Sequence, residues 1–287
     1  MHPLLFELIP LYFVMWVCAA LCGGAVGTAV AVRAGFPAGR SAAAITLLAL
    51  SILAGSKLLY LAEAHWFPLD DYVPPEMRAA AHGFRIPGGI LLLALAMPLV
   101  CGSLRLPWRQ FGDTVIPLAA LALVFIRLGC FLNGCCFGRV SAVPWAIRFP
   151  RGGWVFWYHA SHGWLAASAS FSQPVHPLQL YFLAAAVLTL GLLVRYRLAA
   201  PYSGFLQLLF YGLFFSTTEL LEPLRQNYLT LNSWLAPAST AIAAISLVLG
   251  RVVARLEPSP ATLNNESTSR SSRYPPVSLA AEGRRSI

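Results

Sequence analysis

The chain has 287 residues, of which 58% are hydrophobic and only 11% charged, with a mean hydropathy of +0.67. A soluble domain carries roughly a quarter charged residues, so most of this surface faces something other than water. The net charge of +9 does not mark a nucleic-acid binder, because the basic residues stand singly between apolar runs, with no basic patch interleaved with aromatics.

In chain order, the opening MHPLLFE lacks the basic stretch of a signal peptide, and the apolar run behind it is too long for one, which predicts a retained span. Runs of about 20 apolar residues are long enough to cross a hydrocarbon core of roughly 30 Å as helices. They predict seven spans, near 8–32, 41–63, 86–104, 112–132, 177–194, 203–222 and 230–250, the sixth being marginal in length. The expected architecture is an all-α polytopic membrane protein. Residues 1–255 form the transmembrane domain, 133–176 a long outer loop or lid, and the Ser-, Pro-, Asn- and Arg-rich stretch 256–287 a disordered tail.

Orientation follows from arginine. Arg33 and Arg40, Arg105 and Arg109, Arg195 and Arg197, and Arg251 and Arg255 flank alternate ends of the spans, whereas Asp70, Asp71 and Glu76 lie between spans two and three. The positive-inside rule makes the arginine side cytoplasmic, with the N-terminus outside and the C-terminus inside.

Lys57, Arg127, Glu219, Glu222 and Arg225 fall within spans or at their lips, where an ionisable side chain needs a partner or water. Arg127 lies roughly 20 Å along span four at 1.5 Å per residue, near the outer leaflet, at the level where Lys57, Glu7, Tyr12 and Arg225 also fall. The ordinary reading is ion pairs that knit helices together, such as Arg127 with Glu222. The excess is cationic, however, with Lys57, Arg85, Arg127, Arg139, Arg148 and Arg225 on that side. A cationic pocket at headgroup depth suits a lipid phosphate, which arginine holds in a bidentate fork.

The most specific stretch runs Arg127-Leu-Gly-Cys-Phe-Leu-Asn-Gly-Cys-Cys-Phe-Gly-Arg139. His176-Pro-Leu-Gln-Leu-Tyr181 opens span five, Glu222-Pro-Leu-Arg225 closes span six, Gly55-Ser-Lys57-Leu lies in span two, and Gly88-Gly89 in span three. Asp113 opens span four. In content and order these segments resemble the prolipoprotein diacylglyceryl transferases over about residues 8–250. The resemblance implies a bacterial inner-membrane enzyme that uses phosphatidylglycerol, a membrane lipid, with its site facing the periplasm. It moves the diacylglyceryl group to the thiol of a lipobox cysteine in an exported preprolipoprotein, with glycerol phosphate leaving. By position, Arg127 and Arg225 would hold the phosphate, Glu222 would orient an arginine and His176 would serve the reaction. Lys57, Tyr12, Gly88, Gly89, Asn133, Gly138, Arg139, Gln179 and Tyr181 would shape the substrate site. No metal or cofactor is called for.

The chain departs from the family pattern at Pro87, where an aromatic or His precedes Gly-Gly; at Thr218, in place of an Arg; at Cys130 and Cys135, in place of Asn and Glu; and at Phe182, where Glu is frequent. These departures point to a divergent member and keep a non-catalytic phospholipid-binding paralogue as the alternative. A transporter or thiol-redox protein is the third class, resting only on the intramembrane charges and the cysteine cluster. Other outer-side histidines, His65, His159 and His162, read as ordinary loop residues. Cys18, Cys22 and Cys101 read as small core residues. Cys130, Cys135 and Cys136 do not have zinc-site spacing, and a Cys130–Cys135 or Cys130–Cys136 disulfide is left open. Trp154, Phe156, Trp157, Tyr158, Trp164 and Phe171 predict an interfacial aromatic belt, with a lid over the headgroup site as the sharper alternative.

Overall fold

The structure is a computed structural model that describes residues 4–5, 9–66, 84–197 and 204–225, with side chains described over 14–62, 84–196, 204–221 and 223–225. The expectations for Glu7, His65, the acidic 70–76 loop, the seventh span and the tail, and for the side chains of Tyr12 and Glu222, lie outside those residues.

The chain opens with two two-residue strands, β1 (Leu4–Leu5) and β2 (Ile9–Pro10), paired antiparallel. Helices then dominate: α1 (Leu11–Leu21), α2 (Gly27–Arg33), α3 (Ala38–Trp66), α4 (Ile86–Ser103), α5 (Trp108–Asn133), α6 (Trp154–Ser161), α7 (Leu178–Arg197) and α8 (Phe205–Leu221), with a 3₁₀ turn at Glu222–Leu224. Among the described residues five helical stretches, Val14–Arg33, Ala38–Ala62, Ile86–Ser103, Trp108–Asn133 and Leu178–Tyr196, are long and apolar enough to cross a membrane. The expected sixth span corresponds to α8, which is apolar and has 17 residues.

Span one is continuous through a π-helical turn at Cys22–Val26, where the Gly23-Gly24 pair resists a regular ladder and the Thr28 hydroxyl donates to the Gly24 carbonyl at 2.8 Å. Helix α3 packs along α4, and glycine is what permits it. A Cβ on Gly55 would run into the Gly88 carbonyl, one on Gly88 into the Gly55 carbonyl, and one on Gly89 into Ser56 and the Ile52 carbonyl. Small residues at such a seam let two backbones approach closely enough to gain dispersion contacts that lipid cannot supply. Gly88 and Gly89 therefore lie in this helix–helix contact.

Helix α5 is central and packs against α1, α7 and α8. In its second turn Asp113, 2% exposed, accepts the backbone N–H groups of Gly204 at 2.8 Å and Gln207 at 3.1 Å, so its carboxylate caps the start of α8. Phe36 stands edge-on to Phe111, and Tyr196 edge-on to Phe205. The helix ends bearing Arg33, Arg40, Arg105, Arg109 and Arg195 thus gather at one end of the bundle, and the Arg127–Arg139 and His176 segments lie at the other.

Adding a methyl at the α3–α4 seam tests this packing. Gly55→Ala is expected to lower stability by about 1–3 kcal/mol, read as a lower unfolding midpoint in detergent. Gly191→Ala places its Cβ in open space and is expected to be neutral or to gain up to about 1 kcal/mol. Equal losses at the two positions would contradict the seam.

Candidate functional site

The site is built at the far end of α5, where the helix must stop and turn back. Gly134 adopts the left-handed conformation at φ 72°, and the Cys135 N–H donates to the Cys130 carbonyl at 3.2 Å, a glycine-terminated helix end. Cys136 is also left-handed, at φ 56°, which is uncommon for a residue with a side chain. Two such residues so close together fold Cys135 and Cys136 back under the last helical turn. The sulfurs of Cys130, Cys135 and Cys136 consequently lie within 4.8 Å of one another. All six cysteines are free thiols, so the disulfide left open by the sequence is not formed. Cys130 belongs to a small apolar cluster with Ala19 and Ile126, and Cys135 and Cys136 pack against that cluster together with Trp16, Ile86, Ala122 and Phe125.

The next residues tie three distant segments together. The Gly138 N–H donates to the His176 carbonyl at 3.1 Å, the Arg139 N–H to the Leu224 carbonyl at 2.7 Å, and the His176 N–H to the Arg139 carbonyl at 3.0 Å. Gly138 also pairs with Arg225 in an antiparallel bridge, and Arg139 Nε donates to the Arg225 carbonyl at 3.4 Å. A Cβ on Gly138 would lie 2.7 Å from His176 Cβ, 2.8 Å from the His176 carbonyl oxygen and 2.9 Å from that of Leu224. No other residue type fits between those two backbones.

This junction sets the charges. Arg127 is 7% exposed, and its guanidinium lies 4.1 Å from the centroid of the Phe182 ring, a cation–π contact. Arg225 approaches from the other side, after the 3₁₀ turn. The Cys130 and Cys135 thiols hydrogen-bond to Cys136, and the guanidiniums of Arg225 and Arg127 act on it as well, together holding the Cys136 thiol well below its usual range. The two arginines therefore share one neighbourhood. Arg127 also lines a cavity with about 20 Å³ of water-sized space, together with Phe182, Thr189, Phe214, Thr217 and Thr218. Lys57 rests over the rings of Tyr60, at 4.9 Å, and Phe84, at 5.5 Å. Phe84 in turn meets Trp16, which packs on the apolar cluster of Ala19, Ile126 and Cys130.

Gln179 Nε2 donates to the Cys135 carbonyl at 2.7 Å, so α7 buttresses the turn. Trp145 Nε1–H donates to the Tyr181 hydroxyl at 2.6 Å, and that hydroxyl lies 3.1 Å from His176 Nδ1. Having accepted from the indole, the tyrosine is free to donate to Nδ1, the tautomer that satisfies both bonds. In the sequence Pro144-Trp145 follows the Arg127–Arg139 stretch, but a loop tryptophan carries no signal of its partner. Asn133 ends α5 beside Gly134.

The outer loop has its own small core of Phe137, Phe149, Val155 and Val175, with α6 laid across it. The predicted aromatics divide between two environments: Trp157, Trp164 and Phe171 are exposed, whereas Phe156 is buried. His159 is fully buried, packs against Phe137, Tyr158 and Trp164, and accepts the Gln173 N–H on Nδ1 at 3.1 Å. Burial, with His162 nearby, pushes its pKa down to about 4. It is a neutral histidine in the core of the loop, more deeply buried than the ordinary loop residue expected from the sequence.

A family profile described as prolipoprotein diacylglyceryl transferase matches residues 3–254. Three curated relatives carry the name phosphatidylglycerol–prolipoprotein diacylglyceryl transferase. The one from Ralstonia pickettii is 31% identical over 226 residues, covering 69% of this chain and 73% of that protein. The one from Geobacter sulfurreducens is 31% identical over 137 residues, covering 47% and 45%. The one from Idiomarina loihiensis is 37% identical over 99 residues, covering 34% and 30%. With the latter two the chain matches less than half of the relative's length.

Two outcomes are expected of this geometry. Gly138→Ala forces apart backbones that have no flexible end to move, and is expected to cost about 1–3 kcal/mol and to loosen residues 138–139, 176 and 224–225 together, read by hydrogen exchange; loosening confined to residue 138 would contradict the junction. His159 binds its proton less readily folded (about 4) than unfolded (6.5), so the unfolded loop takes up more protons as pH falls between those values. Loop stability is expected to fall by about 3 kcal/mol from pH 6.5 to 4, followed by tryptophan fluorescence in denaturant, and His159→Asn should remove that fall.

Proposed function

This chain belongs to the prolipoprotein diacylglyceryl transferase family, and we propose that it moves the diacylglyceryl group of phosphatidylglycerol to the cysteine thiol of an exported prolipoprotein. The carbon of the diacylglyceryl group that bears the phosphate ester is attacked by the acceptor sulfur. Its C–O bond breaks as the C–S bond forms, the thiol proton passes to a base, and glycerol phosphate leaves with the bond electrons. Such a step needs cations where the leaving phosphate gathers charge.

The observation that carries this reading is the Gly138–Arg225 bridge, which closes the chain beyond Arg127 and the end of α5 against the segment after α8, with both guanidiniums acting on Cys136. In this proposal both hold the phosphate, with the Glu222 carboxylate orienting an arginine. His176, held by Tyr181, is given the protonic role, for which an imidazole is suited. Asn133, Gly138, Arg139, Gln179 and Tyr181 shape the pocket from the α5 and α7 ends. Lys57 and Tyr12 would contribute from the α1 and α3 side, while Gly88 and Gly89 act through the close α3–α4 packing. The arginine-rich helix ends, gathered at one end of the bundle, support a cytoplasmic assignment for that end. The site would then face the periplasm from a bacterial inner membrane, with the N-terminus outside and the C-terminus inside. Residues 1–255 would be the working domain and 256–287 an appendage to it.

A second reading, a phospholipid-binding paralogue without turnover, is favoured by one observation. Phe182 and Thr218, which stand where the family carries Glu and Arg, line the same cavity as Arg127.

Release of glycerol phosphate from labelled phosphatidylglycerol, with a lipobox peptide present, separates the two readings. The transferase reading expects release and rescue of a strain depleted of its own transferase, with Arg127→Ala lowering the rate about 10²–10³-fold. Lipid binding without release would establish the paralogue, and rescue undiminished by Arg127→Ala would overturn the site.

A further inference from the structure

The transfer reaction uses none of the three thiols at the end of α5, yet each is held in place by a separate constraint. Cys130 is fixed in the last turn of the helix and is 3% exposed. Cys135 is anchored through its carbonyl by Gln179 of α7. Cys136 is turned inward by its left-handed backbone. Three sulfurs within 4.8 Å of one another, none of them in a disulfide, form a convergent set of soft donors.

We propose that Cys130, Cys135 and Cys136 form a three-sulfur binding site for a soft monovalent metal ion, copper(I) being the one whose chemistry fits. Thiolate ligands select copper(I), zinc and iron–sulfur clusters over harder ions. A structural zinc is almost always four-coordinate, and among the described residues no further Cys, His, Asp or Glu joins this group. Charge balance argues the same way. Three thiolates with one monovalent ion carry a charge of −2, which the guanidiniums of Arg127 and Arg225, both acting on Cys136, would neutralise. A divalent ion would leave the same assembly at +1. Cys130 is buried with Ala19 and Ile126, and Cys135 and Cys136 pack against the same apolar cluster, a poorly hydrated setting in which an unbalanced charge is costly. Binding requires no oxidant: three S–H protons pass to solvent, three metal–sulfur bonds form, and the ion keeps its oxidation state.

The same two arginines would serve a phosphate in the transfer reaction, so the test is done without that lipid. The reduced full chain, in phosphatidylcholine nanodiscs and without oxygen, is titrated with copper(I) against a competing chelator. Expected are one ion retained per chain, a first shell of three sulfurs by X-ray absorption, and protection of Cys130, Cys135 and Cys136 from alkylation. Cys136→Ser and Cys130→Ser are each expected to weaken retention by at least about tenfold. Joint replacement of Cys18, Cys22 and Cys101 by Ser should leave retention unchanged. The protection map of the unaltered chain decides the matter even if a serine variant folds poorly. No retained copper(I), protection at Cys18, Cys22 or Cys101 instead, a shell containing nitrogen or oxygen, or tighter retention of zinc would each overturn the site.

Discussion

The backbone of Gly138 and Arg139 is claimed from two sides at once, by the carbonyl of His176 and by that of Leu224. Each hydrogen bond contributes only about 1 kcal/mol net, but together they join the end of α5, the start of α7 and the end of α8. Those are the segments that carry Arg127, His176 and Arg225. The requirement falls on a single residue, because a side chain at 138 would meet two backbones that cannot yield. The sharing of Cys136 by Arg127 and Arg225 follows from that closure.

Around this junction the chain's departures from the family pattern are neighbours. Phe182 gives Arg127 an aromatic face, and Thr218 lines the same cavity with its hydroxyl bonded back to the Phe214 carbonyl at 2.9 Å. Cys130 stands one helical turn beyond Arg127, and Cys135 lies beneath it. By the resemblance, Cys135 and Phe182 each stand in place of a Glu and Thr218 in place of an Arg, so two negative charges and one positive are absent here. That is a coherent change of environment around one arginine, not scattered decay.

Much of the fold was legible because a membrane span is a matter of length and composition. The apolar runs marked the five long spans and the short α8, and Arg33, Arg40, Arg105, Arg109 and Arg195 marked helix ends that the structure gathers on one side. The resemblance also pointed to the family through short segments that prove to be backbone neighbours, Gly138 with His176 and Arg225. Other features carried no periodic signal. The outer loop has a core of its own, held by the isolated bridges of Val175 to Val140 and Ile147 and of Pro150 to Phe171, which no alternation announces. The convergence of three cysteines depends on a left-handed Cys136, and nothing in the spacing predicts that conformation. Asp113 looked like one more charge at a helix start, and its role as a cap for α8 depends on where α8 docks. Lys57 was expected to converge with the two arginines, whereas its described contacts are with the rings of Tyr60 and Phe84.

An electron cryo-microscopy map of the full chain in nanodiscs containing phosphatidylglycerol tests the central claim most directly. The account predicts density for one lipid phosphate between the guanidiniums of Arg127 and Arg225, with the Gly138 strand closed against His176 and Leu224. A phosphate bound elsewhere, or the two arginines on separate sides of α5 with residues 138–139 released from residue 224, would contradict it.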